Sequence, residues 1–251
     1  MQLACVTVAG MRAGGVSPAA SAAYMPLSRP LVTSASSPLP ARRSARLTVH
    51  LHEEDLPESV VLTGDIAVDT ETMGLDPNRD RLCLVQLSDG GGDEHLVRFA
   101  CRSDYAAPRL RALLADPARV KLFHFGRFDL AVIERYLGVR AAPAYCTKIA
   151  SKLVRTYTDR HGLKELAREL VGAEISKQQQ SSDWGAAELS PAQLDYAASD
   201  VRFLHAMRDA LDVRLAREGR TELARACFEF LPTRAALDLA GWPEQDIFAH
   251  A

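Results

Sequence analysis

Five residues, in three separated stretches, have types and spacings that can do chemistry. In "GDIAVDTETMGL" (64–75), Ile66 and Val68 read as a buried strand, and Asp69 and Glu71 arrive at its end. Side chains at i and i+2 of a strand share a face, so two carboxylates stand side by side. In "KLFHFGRFDLAVIERYLG" (121–138), Asp129 falls early in a helix that follows a buried strand, between Phe128 and Leu130. In "LSPAQLDYAASDVRFLHAM" (189–207), Tyr196 and Asp200 are four residues apart and share one helix face. Ala197, Ala198 and Ser199 between them are small enough for close packing.

Each stretch alone has an ordinary explanation. A D-x-E pair often marks a solvated strand end, an acid in a first helical turn is favoured by the dipole, and a Tyr–Asp pair is commonly a surface hydrogen bond. Together the four acids pose a charge problem. Packed in a partly buried site they repel, and some take up protons unless a cation neutralises them. Oxygen-only ligands suit Mg²⁺ or Mn²⁺ rather than structural zinc. Two such ions roughly 3.5–4 Å apart serve in-line displacement at phosphorus, activating a water and stabilising the departing oxygen. Tyr196, one turn from Asp200, is placed to orient that water. Its reference pKa of about 10 makes it a poor base unless the site lowers it.

The elements that must position these groups are legible from residue 47 onward as one α/β domain. Strand-like runs at 60–70, 82–88 and 95–99, separated by "LDPNRD" and "DGGGD", predict an antiparallel meander. A helix near 107–115, a strand at 120–124, a helix near 127–137 and a strand near 143–147 follow. That alternation implies right-handed crossovers onto the same sheet. Helices are expected at about 148–157, 162–171, 191–217 and 221–229, with Ser190 as cap and Pro191 in the first turn of the third. The C-terminal "FLPTRAALDLAGWPEQDIFAHA", broken by Pro and Gly, reads as a short tail that packs back.

Bulk composition bounds the class. The chain has 251 residues, 47% hydrophobic and 25% charged, ordinary for a globular protein, and no run approaches the ~18 apolar residues of a membrane helix. Five cysteines (Cys5, Cys83, Cys101, Cys146, Cys227) with no C-x-x-C pair argue against a disulfide framework and a cysteine zinc site. A reducing, cytoplasmic location is the default. Residues 1–46 are rich in Ala, Ser, Pro and Gly. They read as a disordered tail or a misplaced start, with a transit peptide as the other reading of this arginine-bearing, acid-free composition. Residues 1–50 carry five arginines and no acid; the remaining 25 basic residues face 32 acids over 51–251, a balance of −7. Nucleic acid would therefore have to be met by local basic clusters.

Taken in order, the motifs resemble the DEDD 3'–5' exonucleases, in the tyrosine-bearing branch, and most closely ribonuclease D-like proteins. "VDTET" with Asp69 and Glu71, "HFGRFDL" with Asp129, and "YAASD" with Tyr196 and Asp200 stand for the family's three exonuclease motifs. The resemblance runs from about residue 55 to the C-terminus. It implies a ribonuclease H-like fold, two divalent metals, and release of nucleoside 5'-monophosphates from a 3' end. It also implies that Asp69, Glu71 and Asp200 hold the first metal, and that Asp69 bridges to a second, where Asp129 contributes through water. Two departures stand out. Phe125 occupies the position where many members carry Asn, and too few residues follow Asp200 for the helical RNA-binding domains of larger ribonuclease D proteins.

Substrate contacts are sought in local features. Lys148, Lys152 and Arg155, at i, i+4 and i+7, form one helix face that could follow a single-stranded backbone, or a plain solvated face. Arg160, His161 and Lys164 continue it. Trp184 ends the polar loop "SKQQQSSDW" (176–184) and either stacks a base or, more in keeping with its place, anchors the loop. Met73 and Leu75 could wedge against the terminal base. His124 reads as a satisfied core histidine and Arg127 as a structural ion partner. The leading reading is a metal-dependent exonuclease on single-stranded RNA, with DNA a further candidate. A non-catalytic RNA-binding module on the same fold is the main rival, disfavoured because all four acids and the tyrosine are present. An endonuclease of the ribonuclease H type is disfavoured by the tyrosine.

Overall fold

The run Leu82–Ser88 is buried at every position, which a strand achieves only when both faces of its sheet are covered. In the computed structural model, which describes residues 48–176 and 178–250, this run is β3 of a six-stranded mixed sheet. The other strands are β1 (Thr48–Glu53), β2 (Ile66–Thr72), β4 (Asp93–Arg98), β5 (Lys121–Phe123) and β6 (Ala144–Cys146). Their spatial order is β1-β4-β3-β2-β5-β6. β2, β3 and β4 form the expected antiparallel meander, and β5 and β6 add in parallel beside β2. The tail expected over residues 1–46 lies outside the described residues.

Helices cover both faces. α1 (Pro108–Ala115) and α2 (Arg127–Leu137) cross between strands, and α3 (Thr147–Val154) follows β6. A short helix α4 (Leu163–Leu166) runs into a π turn at Ala167–Val171. α5 (Pro191–Arg202), α6 (Leu204–Arg217) and α7 (Thr221–Leu239) complete the chain. One apolar cluster joins Val68, Val85, Leu87 and Val97 of the sheet to Leu130 and Ile133 of α2 and Leu231 and Ala235 of α7. On the opposite face Leu84 and Leu96 meet Ala197 of α5. No described helix is long and apolar enough to cross a membrane, and the four described cysteines are free.

Four expectations need correction. β1 was not anticipated; it pairs in parallel with β4, and His50 and His52 stack against His95 there. The helix expected near 162–171 is divided by the π turn. The one expected over 191–217 breaks at Phe203, which closes α5 with φ −106 and ψ −2. The C-terminal helix does not stop at 229. It runs to Leu239 with Pro232 inside, and packing of Leu231 and Ala235 on the core cluster outweighs the missing proline donor.

Candidate active site

Strand β2 outruns its neighbour. Its pairing with β5 covers Ile66 and Ala67, so on that edge the following residues meet a cleft, while their other edge stays paired with β3. Asp69 and Glu71 lie in that stretch, on one face, with Thr70 pointing the other way. The cleft has a volume of about 790 Å³ and is lined by Asp69, Glu71, Asp129, Tyr196 and Asp200 among others.

Asp129 is brought in by the β5–α2 turn. Phe125 takes a left-handed conformation, φ 66, and Gly126 follows, where an added Cβ would stand 2.6 Å from the Cβ of Phe123. Only glycine allows so close a return of the chain. The helix then starts at once, leaving Asp129 in its first turn. The Thr70 hydroxyl donates to Asp129 Oδ1 at 2.7 Å. Tyr196 and Asp200 come from α5, whose start is fixed by a capping box. Ser190 Oγ accepts from the Gln193 backbone N–H at 3.3 Å, and Gln193 Oε1 accepts from the Ser190 N–H at 2.9 Å.

Ligand oxygens of Asp69, Glu71 and Asp200 all lie within 4.8 Å of one another. Burial and mutual repulsion hold protons on them. Asp69 is raised well above the usual carboxylate range by burial, then by Asp129, Asp200 and Glu71. Glu71 is pushed up to about 9 by burial, then by Asp200 and Asp129. Burial lifts Asp129 to about 7 against the opposing Thr70 hydrogen bond. It also lifts Asp200 to about 7, against a hydrogen bond from Tyr196. Burial and the neighbouring carboxylates raise the Tyr196 phenol as well, so it stays protonated at neutral pH. Among the described residues, no basic group is among the influences on the four acids. An oxygen-only cluster with this unresolved repulsion fits a divalent cation.

The other candidates fall out unequally. Met73 and Leu75 sit exposed on the cleft rim, Leu75 at 87%. Lys148 lines the cleft, its ammonium 4.1 Å from the centroid of the Phe125 ring, and Lys164 lines it too. Lys152 is exposed but not among the cleft-lining residues.

Arg155 is a correction. α3 ends at Val154, so Arg155 leaves the helical stripe and turns inward, 2% exposed. Its guanidinium donates to Ser151 Oγ at 3.0 Å and to the Arg160 carbonyl at 2.6 Å, and pairs with Glu169. It has no surface to offer a substrate.

Trp184 is 4% exposed and packs with Leu84, Leu96 and Ala197, its ring 5.9 Å from that of Tyr196. It also borders the cleft. Arg127 makes two hydrogen bonds to Asp238, at 2.6 and 2.7 Å, and His124, which lines the cleft, meets Thr147 Oγ1 through Nδ1 at 2.8 Å. Thr70 was overlooked in the sequence, although a hydroxyl between the two acids of "DTE" was a readable signal.

The sequence pattern of the 3'-5' exonuclease family matches residues 50–216. Brucella melitensis NrnC, in a structure described as bound to pGG, is 55% identical, with 82% of this chain and 100% of that chain covered at a TM-score of 0.79. The same protein has a structure with bound Mg²⁺, 54% identical, covering 81% of this chain and 100% of that one at a TM-score of 0.78. Ribonuclease D of Acidiphilium cryptum is 38% identical over 157 residues, which is 62% of this chain and 39% of that protein. The chain thus spans well under half the length of that relative. Escherichia coli RNase D, at 27% identity and a TM-score of 0.60, covers 68% of this chain and 44% of that one. The mixed sheet, three antiparallel strands extended by parallel ones, is the fold shared with it.

Proposed function

The chain belongs to the 3'-5' exonuclease family, and from that premise we propose that residues 47–251 form a nuclease domain that hydrolyses single-stranded RNA from its 3' end to nucleoside 5'-monophosphates. The convergence of Asp69, Glu71 and Asp200 oxygens within 4.8 Å, in a cleft shared with Asp129 and Tyr196, carries the reading.

In this reading Asp69, Glu71 and Asp200 would hold one divalent ion, and Asp69 with Asp129 would help to hold a second, either Mg²⁺ or Mn²⁺. When bound, such ions lower the pKa of water and neutralise charge on the phosphoryl oxygens. Tyr196, kept protonated by its surroundings, orients the attacking water by hydrogen bonding and does not remove its proton. Met73 and Leu75 on the rim offer apolar contact to the terminal base. Lys148 lines the same cleft, where a phosphate of the strand can meet it. None of these groups reads base edges, so sequence preference is expected to be low. The pGG in the Brucella protein supports short RNAs, down to two nucleotides, as substrates, and DNA is a further candidate.

The test is incubation of end-labelled RNA and DNA oligomers, and of pGG, with Mg²⁺ or Mn²⁺. A ladder shortening from the 3' end is expected. Activity that survives EDTA, or that survives in the double variant Asp69→Ala plus Asp200→Ala, would sink the mechanism. Internal products would favour an endonuclease, and binding without cleavage a non-catalytic module.

A further inference from the structure

Among the described residues, four buried side-chain atoms have no hydrogen-bond partner, and two of them belong to one residue: Nε2 and Oε1 of Gln86. Gln86 is 0% exposed. It interrupts the otherwise apolar centre of β3, where a leucine would fill the same space at no polar cost. A buried donor or acceptor left unpaired destabilises the fold, and such a group calls for a reason.

The register supplies one. Gln86 stands directly opposite Asp69 in the β2–β3 ladder and opposite Leu96 in the β3–β4 ladder. Residues directly opposite in an antiparallel pair share a face, with Cβ atoms about 4.5–5.5 Å apart. Leu84 and Leu96 on that face pack against Ala197 of α5, the helix that also carries Tyr196 and Asp200. The amide is therefore held beside Asp69, on the cleft-facing side of the sheet, with its donors unspent.

We propose that Gln86 is a positioning residue for Asp69. Its Nε2–H donates to the Asp69 carboxylate when the carboxylate takes up its metal-binding orientation. A neutral amide suits that task. A carboxylate has about four lone-pair sites, so one can be given to a donor while the others face the ion. A lysine or arginine in its place would compete with the cation by charge. Hydrogen-bonding partners of ligating carboxylates commonly contribute 10–100-fold to metal affinity.

The proposal rests on the metal-binding reading of the site, and one experiment separates the two. Mn²⁺ alone is titrated calorimetrically into the full chain as wild type, Asp69→Asn, Gln86→Met and Gln86→Leu, and each protein is melted free of metal. Both Gln86 variants are expected to bind Mn²⁺ about 10-fold more weakly, yet to melt at the wild-type temperature or above, because two orphaned polar atoms are gone. A merely structural glutamine would give lower melting without a selective loss of metal. Wild-type affinity in a folded Gln86 variant overturns the proposal, as does loss of metal-free stability in both. Failure of wild type to bind Mn²⁺, or undiminished binding by Asp69→Asn, removes the metal reading itself, and the role of Gln86 with it.

Discussion

The Thr70 hydroxyl donates to Asp129 at 2.7 Å, and both groups are buried. This one bond ties β2, which carries Asp69 and Glu71, to the first turn of α2. It also opposes the rise that burial imposes on the Asp129 pKa. Replacing Thr70 by Val keeps the shape and removes the donor. A hydrogen bond to a group that ionises is worth about 1.5–3 kcal/mol, so Thr70→Val should unfold more easily by an amount in that range. It should also lose nuclease activity beyond what the residual folded fraction explains. Wild-type turnover in Thr70→Val would show that Asp129 is oriented by other means.

The acidic cluster sets the direction of a stability–pH profile. In the metal-free protein Glu71 keeps its proton to about pH 9, against 4.5 ordinarily. Asp129 and Asp200 keep theirs to about 7, against 3.8. Between those limits the folded state binds more protons than the unfolded one. Stability is therefore fully present below about pH 4 and is lost as pH rises through 7 towards 9. A bound cation takes the protons' place, so its stabilising effect should grow over the same window. Melting in EDTA and in Mn²⁺ from about pH 5.5 to about 8.5 tests this. A metal-free melting temperature attributable to these groups that climbs with pH contradicts it.

The site was more legible than its surroundings because its signals are local. Asp69 and Glu71 are read from a two-residue period, Tyr196 and Asp200 from a helical one, and the start of α5 from Ser190 and Pro191. What the sequence hid was decided by distant partners. β1 exists because β4 offers it a parallel edge, a pairing across more than 40 residues that no short window contains. α7 continues through Pro232 because its apolar side packs on the core cluster. Arg155 was misplaced by assuming that α3 lasts to about residue 157, when it ends at Val154. Gln86 showed only as a polar letter in an apolar strand, and its meaning appears once the register puts it opposite Asp69.

Arg155 makes a prediction of its own. Its guanidinium links α3 to the π turn through Ser151, the Arg160 carbonyl and Glu169. Breaking a fully buried pair costs about 3–5 kcal/mol. Glu169 is partly exposed, which places Arg155→Met at or below the lower end of that range, about 2–3 kcal/mol by denaturant unfolding. Because the side chain is turned away from solvent, KM for RNA should stay at the wild-type value well below the melting temperature. A raised KM with unchanged stability would return Arg155 to the substrate surface.

Tyr196 distinguishes water positioning from proton abstraction. Burial and the nearby Asp200, Glu71 and Asp69 raise its pKa, the opposite of what a base near neutral pH requires. Tyr196→Phe removes the hydroxyl and leaves the ring beside Trp184, so α5 should keep its place and RNA should bind much as before. Turnover should fall on the order of 10²-fold, the scale of a lost catalytic hydrogen-bond donor, while KM changes little. The pH–rate profile of the variant should keep the wild-type shape, since the phenol stays protonated across the assay range. Loss of an alkaline or neutral limb in Tyr196→Phe would instead identify the tyrosine as the titrating base, and equal losses in binding and turnover would assign it to substrate contact.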